Sequence, residues 1–185
     1  MKGYLKKEMP KEFKDLTSDE RRFIFAWVDN ASNAIKAIIF KEFNDLNERE
    51  LKYEDKAKTL LKMFDKYKSN YPKNKPIYRG LSLNNEKIFN LIKAKFKKVY
   101  EKNETTLIDS KPMSFSKNKD IAQEFANGRY SVIYSIQKRK SNDLDIEKVS
   151  PSDREKEVIV KHNLKYKVID YKEKGNLFEV VLEEI

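Results

Sequence analysis

The 185-residue sequence predicts an α+β chain. Apolar residues recur at helical spacing through the first third, and β-branched, alternating runs fill the last third. The character changes across a proline-bounded segment from Pro72 to Pro76. A single domain over residues 1–185 is expected, with a helical part over 1–71 and a β-rich core over 72–185.

The helical part opens with Thr17-Ser18-Asp19-Glu20, a capping-box pattern ahead of Phe23, Ile24, Trp27 and Val28. Ala31, Ala34, Ile35, Ile38 and Ile39 carry the apolar face onward, so two short helices are expected. Ala57, Leu60, Leu61, Phe64 and Tyr67 mark another amphipathic helix, which Asn70-Tyr71-Pro72 should stop. Trp27 and Phe64 read as core residues.

In the β-rich part, Pro76-Ile77-Tyr78-Arg79-Gly80-Leu81 reads as a short strand closing on glycine. A helix with Ile88, Phe89, Ile92 and Phe96 follows it. A strand is expected from Leu107 to Phe115, a helix from Lys119 to Ala126 after an Asn118 cap, and a strand from Tyr130 to Ile136. The last strands are expected from Glu155 to Val160, Leu164 to Tyr171 and Leu177 to Leu182, with Lys174-Gly175-Asn176 turning a hairpin.

Composition removes several function classes. With no cysteine and one histidine, disulfides and thiolate metal sites are excluded, and a catalytic zinc site lacks ligands. His162 reads as a strand-ending turn residue. Only four glycines occur, and neither GxGxxG nor a P-loop pattern is present, which argues against a Rossmann or P-loop enzyme. The basic N-terminus has no apolar stretch behind it and no run is long enough to span a bilayer, so no signal peptide, no membrane association and a cytoplasmic location are expected. The net charge of +10 is almost all lysine, with arginine only at positions 21, 22, 49, 79, 129, 139 and 154. Such a field attracts nucleic acid, an acidic protein or an anionic dinucleotide.

Against this lysine background Arg79 stands out. It follows apolar and aromatic residues and precedes Gly80, so its guanidinium fork is expected at a strand end where backbone can approach a phosphate closely. In Ser114-Phe115-Ser116, alternation places the two serines on one face and Phe115 on the other, toward the core. Glu155-Lys156-Glu157 runs into Val158-Ile159-Val160, and in a strand both carboxylates would project on the same side as an acid/base pair. Glu48-Arg49-Glu50 has the same spacing in helical sequence, where residues two apart do not face each other. Asp143, Asp145 and Glu147 form a carboxylate row that is read either as a hard-cation site or as an exposed segment.

Taken in order, Tyr78-Arg79-Gly80, Ser114-Phe115-Ser116 with Asp120-Ile121-Ala122-Gln123-Glu124-Phe125-Ala126, and Glu155-Lys156-Glu157 resemble the Arg-Ser-Glu class of mono-ADP-ribosyltransferases. The segment from Leu16 through Ile35 is similar to the N-terminal helices of binary-toxin enzymatic components, and Pro76 to Gly80 to phage-encoded members. The resemblance implies N-terminal helices packed on a mixed β-sandwich core, NAD⁺ as substrate, no metal, and transfer of ADP-ribose to a host or target protein on arginine. It also implies that Arg79 binds the NAD⁺ phosphates and Ser114 orders the nicotinamide-ribose pocket, with Gly80 and Ser116 beside them. Phe125 would lie against the nicotinamide, and Arg129 would make a second phosphate contact. Glu157 would be the catalytic carboxylate and Glu155 the residue that deals with the acceptor arginine, with Val149 to Arg154 recognising the target. Phe115 departs from the class, which most often has Thr there; altered packing is expected. The chain is expected to act as a monomer. A metal-dependent nuclease and a basic nucleic-acid-binding module are the alternative readings.

Overall fold

The computed structural model of the chain describes residues 6–151 and 154–185. The start of the basic N-terminus, and positions 152 and 153 of the expected recognition segment, lie outside the described residues. In chain order the elements are β1 (Lys7–Glu8), α1 (Ser18–Ala26), α2 (Ser32–Phe40), α3 (Glu48–Leu51), α4 (Glu54–Lys66), β2 (Tyr67–Lys68), β3 (Ile77–Leu83), α5 (Glu86–Glu101), β4 (Thr105–Thr106), β5 (Met113–Ser116), α6 (Lys119–Phe125), β6 (Tyr130–Lys138), β7 (Leu144–Asp145), β8 (Glu157–Val160), β9 (Tyr166–Lys174) and β10 (Leu177–Glu184). Helices dominate the first third and strands the last, so the architecture is the expected α+β. The residues fall into two compact units.

The first unit comprises the chain up to Tyr71 together with Asp109–Met113 and Asn142–His162. The helical part is therefore completed by strands that come much later in the sequence. The capping box at the start of α1 is formed: the Glu20 N–H donates to the Thr17 hydroxyl at 3.3 Å and the Thr17 N–H donates to Glu20 Oε2 at 2.8 Å. Phe23, Ile24 and Trp27 then share one buried face, which Ile35 and Ile38 of α2, and Leu60, Met63 and Phe64 of α4, complete. Leu144, Ile146 and Ile159, from β7, its following turn and β8, close the same core. Each such large side chain taken out of water contributes about 1.5–3 kcal/mol. Between α1 and α2 the chain makes one widened π-helical turn, Trp27–Ala31. α4 stops at Lys66, before the proline, because Tyr67–Lys68 is drawn into a parallel pair with β1.

The second unit comprises Pro72–Ile108, Ser114–Ser141 and Asn163–Ile185. Its mixed sheet has the order β4-β9-β10-β6-β3-β5. The β6–β10 pair is parallel, while the other adjacent pairs are antiparallel. The first seven residues of β6 are buried, as expected for a strand covered on both faces. The α5 residues Phe89 and Phe96 meet Tyr130 and Tyr134 at ring-centroid distances of 5.2 and 5.6 Å. The hairpin between β9 and β10 turns on Gly175 at φ 58°, where glycine carries no Cβ penalty.

Three expected strands have other bounds. The Leu107 to Phe115 strand is reduced to Met113–Ser116, because Asp109 Oδ1 accepts the Lys111 N–H in a local turn ahead of Pro112. β3 does not close on Gly80 but runs through it to Leu83, paired along its length with β6. β8 begins at Glu157 and not at Glu155, since Lys156 has φ 48° and breaks the extended backbone.

Candidate active site

The second unit carries Arg79, Gly80, Ser114, Ser116, Phe125 and Arg129 of the residues expected to hold NAD⁺. Arg79, in the middle of β3, is half-buried, and its Nη1 donates to the Ser114 carbonyl at 2.9 Å. This bond joins two segments that are 35 residues apart. In β5 Ser114 is half-buried, while Phe115 at 2% exposure and Ser116 at 7% are both buried, so burial does not alternate through the second serine. Ser116 lies opposite Tyr78 across the β3–β5 pair, and its hydroxyl accepts the Asn118 N–H at 3.0 Å. It therefore fixes the turn into α6, where the Asn118 side chain in turn accepts the Asp120 N–H at 2.9 Å.

Gly80 has a reason the sequence did not reveal. A Cβ at this position would lie 1.8 Å from the Ala122 carbonyl oxygen and 2.9 Å from the Ala126 nitrogen. The bare Cα thus lets α6 lie directly on β3. Helix backbone fills the side on which a Cβ would lie, and Gly80 sits inside β3 and not at the strand end expected of it. At the end of the same helix Phe125 is 54% exposed. Arg129 is also exposed, with its guanidinium 5.6 Å from the Tyr130 ring centroid.

The two candidate carboxylates belong to the first unit, and the structure separates their environments. Glu157 opens β8, all four residues of which are buried, and is itself only 5% exposed. The indole N–H of Trp27 donates to its Oε1 at 2.8 Å. Glu155 is half-buried in the preceding turn. The expectation that Glu155 and Glu157 project side by side from one strand is therefore corrected: a period-2 face needs continuous extended backbone, and the positive φ at Lys156 interrupts it. Glu50 of the comparison pair closes a helix cap with Asn47 and pairs with Lys41 at 2.8 Å, a structural role.

Trp27 is a core residue, as its helical spacing predicts. It is 3% exposed and packs on Phe23 at 5.7 Å, but its ring nitrogen also reaches Glu157, 130 positions away. The one available sequence signal was chemical: a buried indole N–H needs an acceptor.

The remaining candidates are not brought together as a metal site. Asp143 is buried at 2% exposure while Asp145 and Glu147 are half-buried, which corrects the expectation of an exposed row. Among the described residues no group of three or more acidic, histidine or cysteine side chains is arranged to hold a metal ion. His162 lies just beyond β8, as expected, and burial there, with Lys161 nearby, pushes its imidazole below the usual range. Among the described residues no single helix is long and apolar enough to cross a membrane.

No family model and no curated protein matches the chain. Solved structures do. The ADP-ribosyltransferase Vis from Vibrio splendidus, in complex with agmatine, superposes with a TM-score of 0.65 at 14% identity, over 94% of this chain and 77% of that one. The Clostridium limosum C3 exoenzyme superposes with a TM-score of 0.66 at 18% identity, over 94% of this chain and 88% of that one. BECa, an ADP-ribosylating toxin of a C. perfringens binary enterotoxin solved with NADH, gives 0.62 at 21% identity over 93% of this chain and 44% of that one. The chain has the α+β fold of the ADP-ribosyltransferase toxins.

Proposed function

We propose that the chain is an NAD⁺-dependent mono-ADP-ribosyltransferase of the phage or bacterial effector type, which transfers ADP-ribose from NAD⁺ to a target protein, on arginine, and releases nicotinamide. The observation that carries this reading is Glu157: a carboxylate buried at the first residue of a strand and held at one oxygen by an indole N–H, within a fold shared with ADP-ribosyltransferase toxins.

Each residue type suits the chemistry asked of it. Cleavage of the bond between nicotinamide and ribose C1′ builds positive charge on the ribose, as in glycosidases. The electron pair of the breaking bond leaves with nicotinamide, which is cationic in NAD⁺ and departs neutral, so no general acid is needed. Glu157 hydrogen-bonds the ribose 2′-hydroxyl and stabilises the developing cation, an interaction stronger in the transition state than in the ground state. Arg79 clamps the phosphates with its planar fork, and Ser114 orders the nicotinamide-ribose pocket. Ser116 and Gly80 shape that region, Phe125 offers a ring to nicotinamide, and Arg129 a second phosphate contact.

Arginine as acceptor is supported by Glu155, and by Vis having been captured with agmatine, whose guanidinium has the chemistry of the arginine side chain. A guanidinium is protonated at neutral pH and is a poor nucleophile. Glu155, in the turn before β8, orients it; the guanidinium nitrogen bonds C1′ as its proton passes to the carboxylate. NAD⁺ is the donor, in keeping with BECa having been solved with NADH.

The test is nicotinamide release from NAD⁺ in the absence of acceptor. The wild type should turn NAD⁺ over slowly, and Glu157→Gln should abolish turnover with the fold intact. Equal turnover by the two proteins overturns the reading.

A further inference from the structure

We propose that Trp27 is a positioning residue for the Glu157 carboxylate. This rests on the transferase reading above and adds to it a residue from outside the Arg-Ser-Glu pattern.

Three observations converge on it. The Trp27 Nε1 to Glu157 Oε1 bond is 2.8 Å long and buried on both sides, so little water competes for either partner. Losing one partner of such a buried bond leaves the other unsatisfied, which is costly. The indole is itself braced, by the Phe23 ring at 5.7 Å and by the Lys36 ammonium 4.9 Å from its centroid. Finally, Trp27 is the first residue of the π-helical turn that separates α1 from α2. Such a turn interrupts regular helix geometry and recurs at functional sites.

These features give Trp27 work that packing alone does not require. A phenylalanine would fill the same apolar face beside Phe23 and Ile24, but it has no N–H. A carboxylate has about four acceptor positions, and a donor at Oε1 engages one of them and fixes the plane of the group. A carboxylate rotated out of that plane would still bind NAD⁺, through the contacts made by other residues, but would stabilise the ribose cation less well. The expected signature is a fall in kcat with little change in KM for NAD⁺.

Because Trp27 is the sole tryptophan, its indole N–H gives one resonance in a ¹H–¹⁵N spectrum. That resonance should lie downfield and move upfield in Glu157→Gln, a result that needs no NAD⁺. In Trp27→Phe, kcat for nicotinamide release should fall by about tenfold or more while KM stays within about twofold. Should Trp27→Phe fold poorly, replacing Trp27 by 3-benzothienylalanine keeps the shape and removes only the N–H, and the same loss is expected. A resonance unmoved by Glu157→Gln overturns the contact. Wild-type kcat in an N–H-free variant, or a rise in KM with kcat unchanged, overturns the positioning role. No NAD⁺ turnover by the wild type sinks the functional reading, and the role with it, while the resonance still decides whether the contact exists.

Discussion

Arg79 donates from Nη1 to the Ser114 carbonyl oxygen at 2.9 Å, so the expected phosphate clamp and the expected ribose-pocket residue are tied through the Ser114 peptide. A guanidinium presents five donors in a rigid planar fork that matches phosphate oxygens. Arg79→Lys keeps the charge but loses the fork. KM for NAD⁺ should rise about tenfold or more, the order expected for losing a charge-assisted hydrogen bond. Steady-state kinetics of nicotinamide release would check this, and an unchanged KM would remove Arg79 from NAD⁺ binding.

The two glutamates should separate under substitution. Glu157→Gln should eliminate both nicotinamide release and transfer to protein. Glu155→Gln should spare nicotinamide release while reducing transfer, because water needs no orienting carboxylate in the way an arginine does. Parallel assays on the two variants decide it, and equal loss of both activities in Glu155→Gln contradicts the division of roles.

Gly80→Ala should destabilise the protein. The new Cβ would lie 1.8 Å from the Ala122 carbonyl oxygen, which belongs to helix backbone and cannot rotate away. Overpacking of this kind costs about 1–3 kcal/mol. A fall of several degrees in the thermal midpoint is expected, whereas Gly175→Ala, with nothing within 4 Å but a φ of 58°, should cost less.

Acid stability should depend on Glu20. Burial pushes its carboxyl up, but hydrogen bonds from the Lys66 ammonium at 2.8 Å, from the Thr17 backbone and hydroxyl, and from the Tyr67 hydroxyl outweigh this and hold it below the ordinary 4.5. A carboxyl depressed in the folded state contributes stability that is fully present above its unfolded value. That contribution is lost as pH falls from about 4.5 through the folded value. Glu20→Gln should lower stability at neutral pH and flatten this part of the pH dependence, as read from urea midpoints at a series of pH values. An unchanged profile would place the acid sensitivity elsewhere.

Much of the fold was legible because local rules acted without interference. The Thr17/Glu20 cap and the helical apolar faces both follow from residues a few positions apart. The site was only partly legible. Alternation puts Glu155 and Glu157 on one face only where the strand is continuous across Lys156, and nothing local to that lysine announces its positive φ. Gly80 packs against a helix that begins 39 residues later, a neighbour that no local pattern announces. The bond between Trp27 and Glu157 spans 130 positions, and periodicity can call the indole buried without saying which acceptor it meets.

NAD⁺-dependent transfer is tested most directly by incubating the protein with NAD⁺ labelled in its adenylate part and lysates of candidate target cells, beside Glu157→Ala. The wild type should attach label covalently to a discrete protein band, stable to denaturation, and Glu157→Ala should attach none. Absence of label with the wild type across such lysates, together with no nicotinamide release, or equal labelling by Glu157→Ala, would contradict it.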